Sequence, residues 1–349
     1  MGFIITMEKY LKEPGVTEVK IPDGVTEIRL WAIPDGITSV VIPKSVTEIN
    51  KNAFLTAGDL LSITVDPDNP VYCDIDGVLY SKDKTALIWY PLGRLDKKFV
   101  FPDHVTKITD INVRFYVTSV VIPKSVSEIS PDAFVAADDL LSITVDPDNP
   151  VYCDIDGVLY SKDKTVLVCY PRGRQETEFI IPDHVTEISD CAFAGCKTLS
   201  SVILHDHVTT IGEFAFGSSG LTSINLPNNL KSIGNIAFYG CGLTSIDLPN
   251  GLKSIGAEAF SHCNGLTSVV ISDGVTEIHD RMFSLCKNLT SVRIPRSVTE
   301  IDDDTFSGCK RLTILTTPGS YADSYAQKKG IRVAYVPLED HRSGTHDKN

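Results

Sequence analysis

The chain has 349 residues, 42% of them apolar, and a formal net charge of −13 at pH 7. That acidity argues against sequence-independent binding to nucleic acid or to anionic membranes, which need a basic face. Neither an apolar run of about 18 residues, the minimum for a membrane-spanning helix, nor a leader pattern in residues 1–10 is visible.

A landmark position recurs from one end of the chain to the other. It is filled by Pro22, Pro43, Asp66, Pro102, Pro123, Asp146, Pro182, His205, Pro227, Pro249, Ser272, Pro295 and Pro318. The coils that start at Pro22 and Pro102 are short, with 21 residues to the next landmark, and lack the Ala-Phe pair of the others. Landmarks 43, 66 and 102 return at 123, 146 and 182, each displaced by 80 residues, and residues 59–85 are repeated letter for letter as 139–165. Within each 80-residue unit the step from Asp66 to Pro102, or from Asp146 to Pro182, is 36 residues and carries an insert. The insert reads Asp74-Ile75-Asp76-Gly77-Val78-Leu79-Tyr80, then Ser81-Lys82-Asp83-Lys84-Thr85. Asp76-Gly77 is a hairpin signal and Lys82-Asp83-Lys84 a second polar turn, so small antiparallel hairpins are expected to protrude at about 66–101 and 146–181.

Beyond Pro182 the steps settle at 22 or 23 residues, with 23 for each of the last three. The clearest coil runs Leu221-Thr222-Ser223-Ile224-Asn225-Leu226-Pro227, then Leu230, Ile233, Ala237 and Phe238. Residues 223–226 alternate out, in, out, in, the pattern of a half-buried strand. Proline then ends the strand because it has no ladder donor. A second short alternating piece follows, as in Val275-Thr276-Glu277-Ile278, and the Ala-Phe pair plugs the interior. About six inward apolar side chains per coil, worth roughly 1.5–3 kcal/mol each, do not offset roughly 1–2 kcal/mol of backbone entropy per residue. A lone coil therefore does not fold, and stability comes from stacking neighbours. A fixed period of this size is the signature of a leucine-rich-repeat solenoid. Residues 320–330, with a polar start, Lys328-Lys329 and Gly330, read as a capping helix, and 338–349 as a disordered tail.

The expected architecture is thus a single solenoid over residues 1–337. Residues 14–182 hold the two insert-bearing units, 183–317 the regular coils and 318–337 the cap. The Ile-Pro-x-x-Val-x-x-Ile-x-x-x-Ala-Phe-x-x-Cys unit, the Asp-Gly-Val-Leu-Tyr-Ser-Lys-Asp-Lys-Thr insert and the Tyr-Ala cap helix resemble the BspA-like leucine-rich-repeat family of bacterial proteins, over roughly residues 14–337. The resemblance implies a right-handed horseshoe, α/β by class name but β-dominated. It also implies a non-catalytic role in binding proteins or surfaces, and secretion or display at the cell surface. It carries over no cofactor and no fixed binding residues.

Several side-chain sets invite chemistry. Cys196, Cys241, Cys263, Cys286 and Cys309 each follow their coil's Phe by three residues, a slot that Ser219, Ala57 and Ala137 also fill. A slot shared by Cys, Ser and Ala asks for small size, and nine cysteines cannot all pair. Asp74-Ile75-Asp76-Gly77, repeated at Asp154, matches the opening motif of haloacid-dehalogenase-like phosphatases but sits in a hairpin, so a plain turn is the favoured reading. Asp66, Asp68, Asn69, Asp74 and Asp76 could supply calcium with oxygen ligands, although turn chemistry accounts for them. His184, His205 and His207 form the histidine cluster, and His184 and His207 could share a metal with Asp183 or Asp206. Glu27, Glu48, Glu128, Glu187, Glu277 and Glu300 form a solvated column. Two residues before the landmark, Val41, Val121, Ile203, Asn225, Asp247, Val270 and Arg293 point outward on the main sheet. Four of these seven are apolar, and exposed apolar groups in a row suggest a contact surface, with the hairpin inserts as the rival surface and simple β-propensity as the bland reading. The reading is a binding protein for an unidentified protein or glycan, with no catalytic or metal residues and no cofactor. A self-associating structural role is the second reading, and an enzyme a distant third.

Overall fold

The computed structural model describes residues 3–5, 15–109 and 116–336. The tail expected at 338–349, and the segment in which the Pro102 coil was expected to lack its plug, lie outside these residues. The fold is a β-dominated solenoid with one short helix near the carboxyl end. The described residues fall into two compact units, one within 1–175 and 189–196, the other within 176–188 and 197–349.

In the first unit the main-sheet strands Glu18–Lys20, Ser39–Ile42 and Ser62–Val65 pair in parallel, with Lys20 beside Val41 and Val41 beside Thr64. Their inward residues Val19, Val40, Ile42 and Ile63 are fully buried, as the alternation requires. The coil at Pro22 does have a plug. Ala32 and Ile33 are both buried, with Ile33 in the position that Phe54 takes one coil later. A β-branched residue fills the slot, and a search for Phe alone misses it.

The inserts do not protrude. Tyr72–Ile75 and Val78–Ser81 form an antiparallel hairpin through Asp76 and Gly77, whose φ values of 49° and 78° are those of a type I′ turn. A third strand, Leu87–Trp89, completes a meander, and Val78, Leu79 and Tyr80 are buried. The turn is laid against the main sheet: the Ile63 N–H donates to the Gly77 carbonyl at 2.9 Å and the Val65 N–H to Asp74 Oδ1 at 2.7 Å. These contacts use donors on the open edge of Ser62–Val65, so the insert closes that edge. The main ladder restarts at Lys98–Val100, which pairs with Ser119–Ile122. The second copy repeats both contacts, from Ile143 to the Gly157 carbonyl at 2.9 Å and from Val145 to Asp154 Oδ1 at 2.7 Å.

At the outer turn of the insert, Asp83 Oδ1 accepts from Ser81 Oγ at 2.6 Å and from the Thr85 backbone and hydroxyl at 3.1 and 2.8 Å. These hydrogen bonds, Ser81's first, hold the Asp83 carboxyl below its usual range. Lys84 beside it is exposed and left-handed at φ 66°. Asn adopts this region with less strain than Lys. Lys84→Asn is therefore expected to raise stability by roughly 0.5–1 kcal/mol, read from the midpoint of urea unfolding.

In the second unit the interior is organised by a column of rings. Phe216, Phe238, Phe260, Phe283 and Phe306 stack with centroid spacings of 5.2, 5.3, 5.6 and 5.7 Å and planes within 7° of parallel. Beside them the thiols of Cys241, Cys263, Cys286 and Cys309 donate to the carbonyls of Phe216, Phe238, Phe260 and Phe283 at 3.0–3.1 Å. Burial pushes the Cys241 and Cys309 thiols up to about 11 and Cys286 up to about 12. A protonated, buried thiol is a poor nucleophile, so these four cysteines are small packing residues with a weak donor.

The stack ends in a cap. Ser320 begins helix Tyr321–Lys329 by accepting the Asp323 N–H at 3.1 Å, and Gly330 closes it at φ 68°. Tyr325 meets the Phe306 ring edge-on at 6.3 Å, covering the last apolar cross-section. The final strand, Arg332–Tyr335, was not foreseen and pairs in parallel with Thr313–Thr316. Pairing also corrects the last coil: Arg293 lies beside Leu315, a step of 22 residues instead of 23, which puts Thr317 rather than Pro318 opposite Pro295.

Candidate binding surface

All seven residues of the outward column lie on main-sheet strands. Val41, Val121 and Arg293 are half-buried, Asn225 and Asp247 are exposed, and Ile203 and Val270 are 44% and 43% exposed. In the first unit, pairing lines up Lys20, Val41 and Thr64, and separately Val100, Val121 and Thr144. In the second, Ile180, Ile203 and Asn225 form one row, and Asp247, Val270, Arg293 and Leu315 another. The most exposed apolar members are therefore Val100 at 55% and Ile180 at 64%. Sequence reading missed both, although each stands two residues before a landmark proline.

A second outward column runs beside the first, hydroxylic along most of its length and charged at Glu18, Lys98, Glu178 and Arg332. Its hydroxylic members are Ser39, Ser62, Ser119 and Ser142 in the first unit, and Ser201, Ser223, Ser245, Ser268, Ser291 and Thr313 in the second. At the edge of the face, threonine hydroxyls donate to the carbonyl of the preceding coil, as Thr38 to Thr17 at 3.1 Å, Thr222 to Ser200 at 3.2 Å and Thr290 to Thr267 at 2.9 Å. The face is thus a strip of small hydroxyls beside a row of mostly β-branched side chains, with few charges, on a chain of net charge −13. The apolar and hydroxylic part of this face can be desolvated at little cost, while its charges at Lys20, Asp247 and Arg293 must stay wet or be paired by a partner. The glutamates lie on the other strand, where Glu27 is beside Glu48 and Glu277 beside Glu300, while Glu128 meets Lys107 at 2.6 Å.

The competing sites are occupied by structural work. Asp74 and Asp154 accept strand N–H groups, and the Asp76 and Asp156 carbonyls accept from Arg94 and Arg174 Nη1 at 2.8 and 2.7 Å. Asn69 accepts the N–H groups of Val71 and Tyr72 at 2.9 and 2.8 Å and donates to the carbonyls of Pro43 and Val46, both at 2.9 Å. Asp66 Oδ1 accepts the Asp68 N–H at 2.8 Å. His205 accepts the His207 N–H at Nδ1 and faces the Pro182 carbonyl with Nε2 at 2.8 Å, so both ring nitrogens are committed. His207 Nδ1 faces the Asp183 carbonyl at 2.8 Å. Among the described residues no three His, Cys, Asp or Glu side chains are arranged to hold a metal.

The repeat and its geometry have close parallels. A family model for the BspA type leucine rich repeat region matches six copies within residues 5–72, 172–242 and 210–327. Among solved structures, the pneumococcal vaccine antigen PcpA is similar with a TM-score of 0.62 at 19% identity, over 92% of this chain and 89% of that one. A leucine-rich repeat protein from Eubacterium ventriosum gives 0.54 at 24% identity, over 86% and 72%. A protein from Faecalibacterium prausnitzii, described as a leucine rich cell surface protein, gives 0.53 at 26% identity, over 93% and 92%. No curated protein matches the sequence. No described helix is long and apolar enough to cross a membrane.

Proposed function

The chain belongs to the BspA-type leucine-rich-repeat family, and we propose on that footing that it is a non-catalytic binding protein displayed outside the cell. Its partner is a protein or a glycan held against the main-sheet face. The observation that carries this reading is the exposed apolar part of that face, with Ile180 and Ile203 adjacent and Val100 beside Val121. Display outside the cell is suggested by the description of the Faecalibacterium prausnitzii relative. Catalysis by the Asp74-Ile75-Asp76-Gly77 motif is disfavoured because Asp74 already accepts the Val65 N–H.

Two charge-introducing double variants test the surface, V100E/V121E and I180E/I203E. Each places like charges directly opposite one another on neighbouring strands, which costs on the order of 0.2–1 kcal/mol of stability. Capture of the bacterial or host ligand by immobilised protein is expected to fall at least roughly tenfold, the effect of losing about 1.4 kcal/mol at a contact centre. Circular dichroism should stay unchanged. Undiminished capture by both variants would remove this face from consideration. A concentration-dependent rise in light-scattering mass, abolished by the same variants, would identify the partner as a second copy.

A further inference from the structure

The main ladder is interrupted at the equivalent point of each 80-residue unit, and each interruption leaves a bare strand edge. Among the described residues, Lys98–Val100 pairs on one side only, with Ser119–Ile122, and Glu178–Ile180 on one side only, with Ser201–Ile203. Along a parallel strand the backbone groups of successive residues point to opposite edges. Lys97 accepts the N–H groups of Thr118 and Ser119, and Phe101 donates to Val121, so residues 97, 99 and 101 face the following strand. Lys98 and Val100 therefore face the other way. The same contacts, from Ser200 and Ser201 to Thr177 and from Ile181 to Ile203, turn Glu178 and Ile180 outward. Among the described residues no hydrogen bond reaches the N–H or C=O of these four. The insert turns do not use them, because Gly77 and Gly157 lie against Ser62 and Ser142 on the strand before.

An extended backbone is what matches such an edge, and charge selects which one. Residues 59–85 and 139–165 are identical, and Phe99-Val100 is matched by Phe179-Ile180, yet Lys98 is replaced by Glu178. Both are exposed, and neither has an ion-pair partner among the described residues. On both edges the outward backbone belongs to residues whose side chains leave the main-sheet face. Two such edges align their faces only when they run antiparallel. Lys98 then lies opposite Ile180 and Val100 opposite Glu178, each pair exchanging both of its hydrogen bonds. Lys98 and Glu178 become diagonal neighbours, within reach of long side chains. Two Lys98 edges, or two Glu178 edges, would put like charges on that diagonal instead.

We propose that two copies of this chain associate by strand addition, the Lys98–Val100 edge of one against the Glu178–Ile180 edge of the other. The pairing makes four backbone hydrogen bonds and shields Val100 and Ile180, which are 55% and 64% exposed in the single chain. It goes beyond the face reading, since backbone edges carry it whether or not a protein or glycan binds the sheet face. Four hydrogen bonds make a small interface, so the association is weak, with a dissociation constant of roughly 0.1–1 mM. Each copy carries one edge of each sign, so pairing can continue beyond two copies.

Sedimentation equilibrium from roughly 0.01 to 1 mM chain reads the weight-average mass, which is expected to rise above the monomer with concentration. K98E and E178K each leave a single sign on both edges and should weaken association roughly tenfold. The K98E/E178K double variant restores opposite signs and should recover it, as should an equimolar mixture of the two single variants. V100P and I180P remove outward N–H groups that bond nothing within the chain, so association should fall while circular dichroism stays that of wild type. If a proline variant unfolds, the charge series decides alone. A monomer mass at every concentration, single charge variants that associate as wild type does, or a double variant that regains nothing would each overturn the proposal.

Discussion

Phe260→Ala is expected to lower stability by about 4 kcal/mol, from the cost of deleting a fully buried ring and leaving its volume empty. Phe260 lies between Phe238 at 5.3 Å and Phe283 at 5.6 Å, nearly parallel to both. The substitution therefore breaks two ring contacts, each worth roughly 0.5–1.5 kcal/mol beyond burial. The backbone is spared, because the Phe260 N–H still reaches the Met282 carbonyl and its own carbonyl still accepts the Cys286 thiol. Phe306 makes the informative comparison. It has one stacked neighbour and meets Tyr325 only edge-on, so Phe306→Ala should cost about 1 kcal/mol less. In a stacked array each coil is stabilised only by its neighbours, so the Phe260 variant should also broaden the urea transition or split it. Equal costs and equally sharp transitions at the two positions would mean that the unit unfolds as one block, with no nearest-neighbour structure.

The repeat was legible because the interior slots ask for little beyond size and apolarity. Counterparts of Ala237, Phe238 and Cys241 recur in register in most coils, and the structure buries them as read. The same property hid Ala32 and Ile33, since Ile satisfies a volume requirement that had been read as a letter. The Asp76-Gly77 turn was equally legible, because a type I′ turn demands left-handed backbone at both positions. Where the turn docks was not. Asp74 caps the Val65 N–H only because the chain returns the hairpin to that strand edge, a tertiary contact with no local signature. The proposed binding face was half legible. Counting back from the landmarks found Ile203 and Val270, yet Val100 and Ile180 went unread beside the inserts. Their greater exposure follows from their place on the first strand of a restarted ladder.

Asn69 carries the other large expectation: Asn69→Ala should cost about 4 kcal/mol, and Asn149→Ala the same in the second copy. Asn69 is fully buried, and its amide satisfies two carbonyls and two N–H groups at once. Alanine leaves all four without partners, at roughly 1–3 kcal/mol for each that stays dry. Local relaxation admits water to about half of them, and two groups that stay dry at roughly 2 kcal/mol each account for the expected loss of about 4 kcal/mol. Asn69→Asp separates donors from acceptors at nearly constant shape. It keeps an oxygen for the Val71 and Tyr72 N–H groups but turns an anion toward the carbonyls of Pro43 and Val46. Burial and those two facing oxygens raise the folded pKa of the new carboxyl above its unfolded value of about 4. A raised acid is least costly below the unfolded pKa and most costly above the folded one, so the Asp variant should lie closest to wild type in acid and fall away as pH rises. The alanine variant should show no such pH dependence. Loss of this anchor would also free the hairpin from Ser62–Val65 and open that strand edge to other chains, so both variants should aggregate on partial unfolding sooner than the Phe260 variant does.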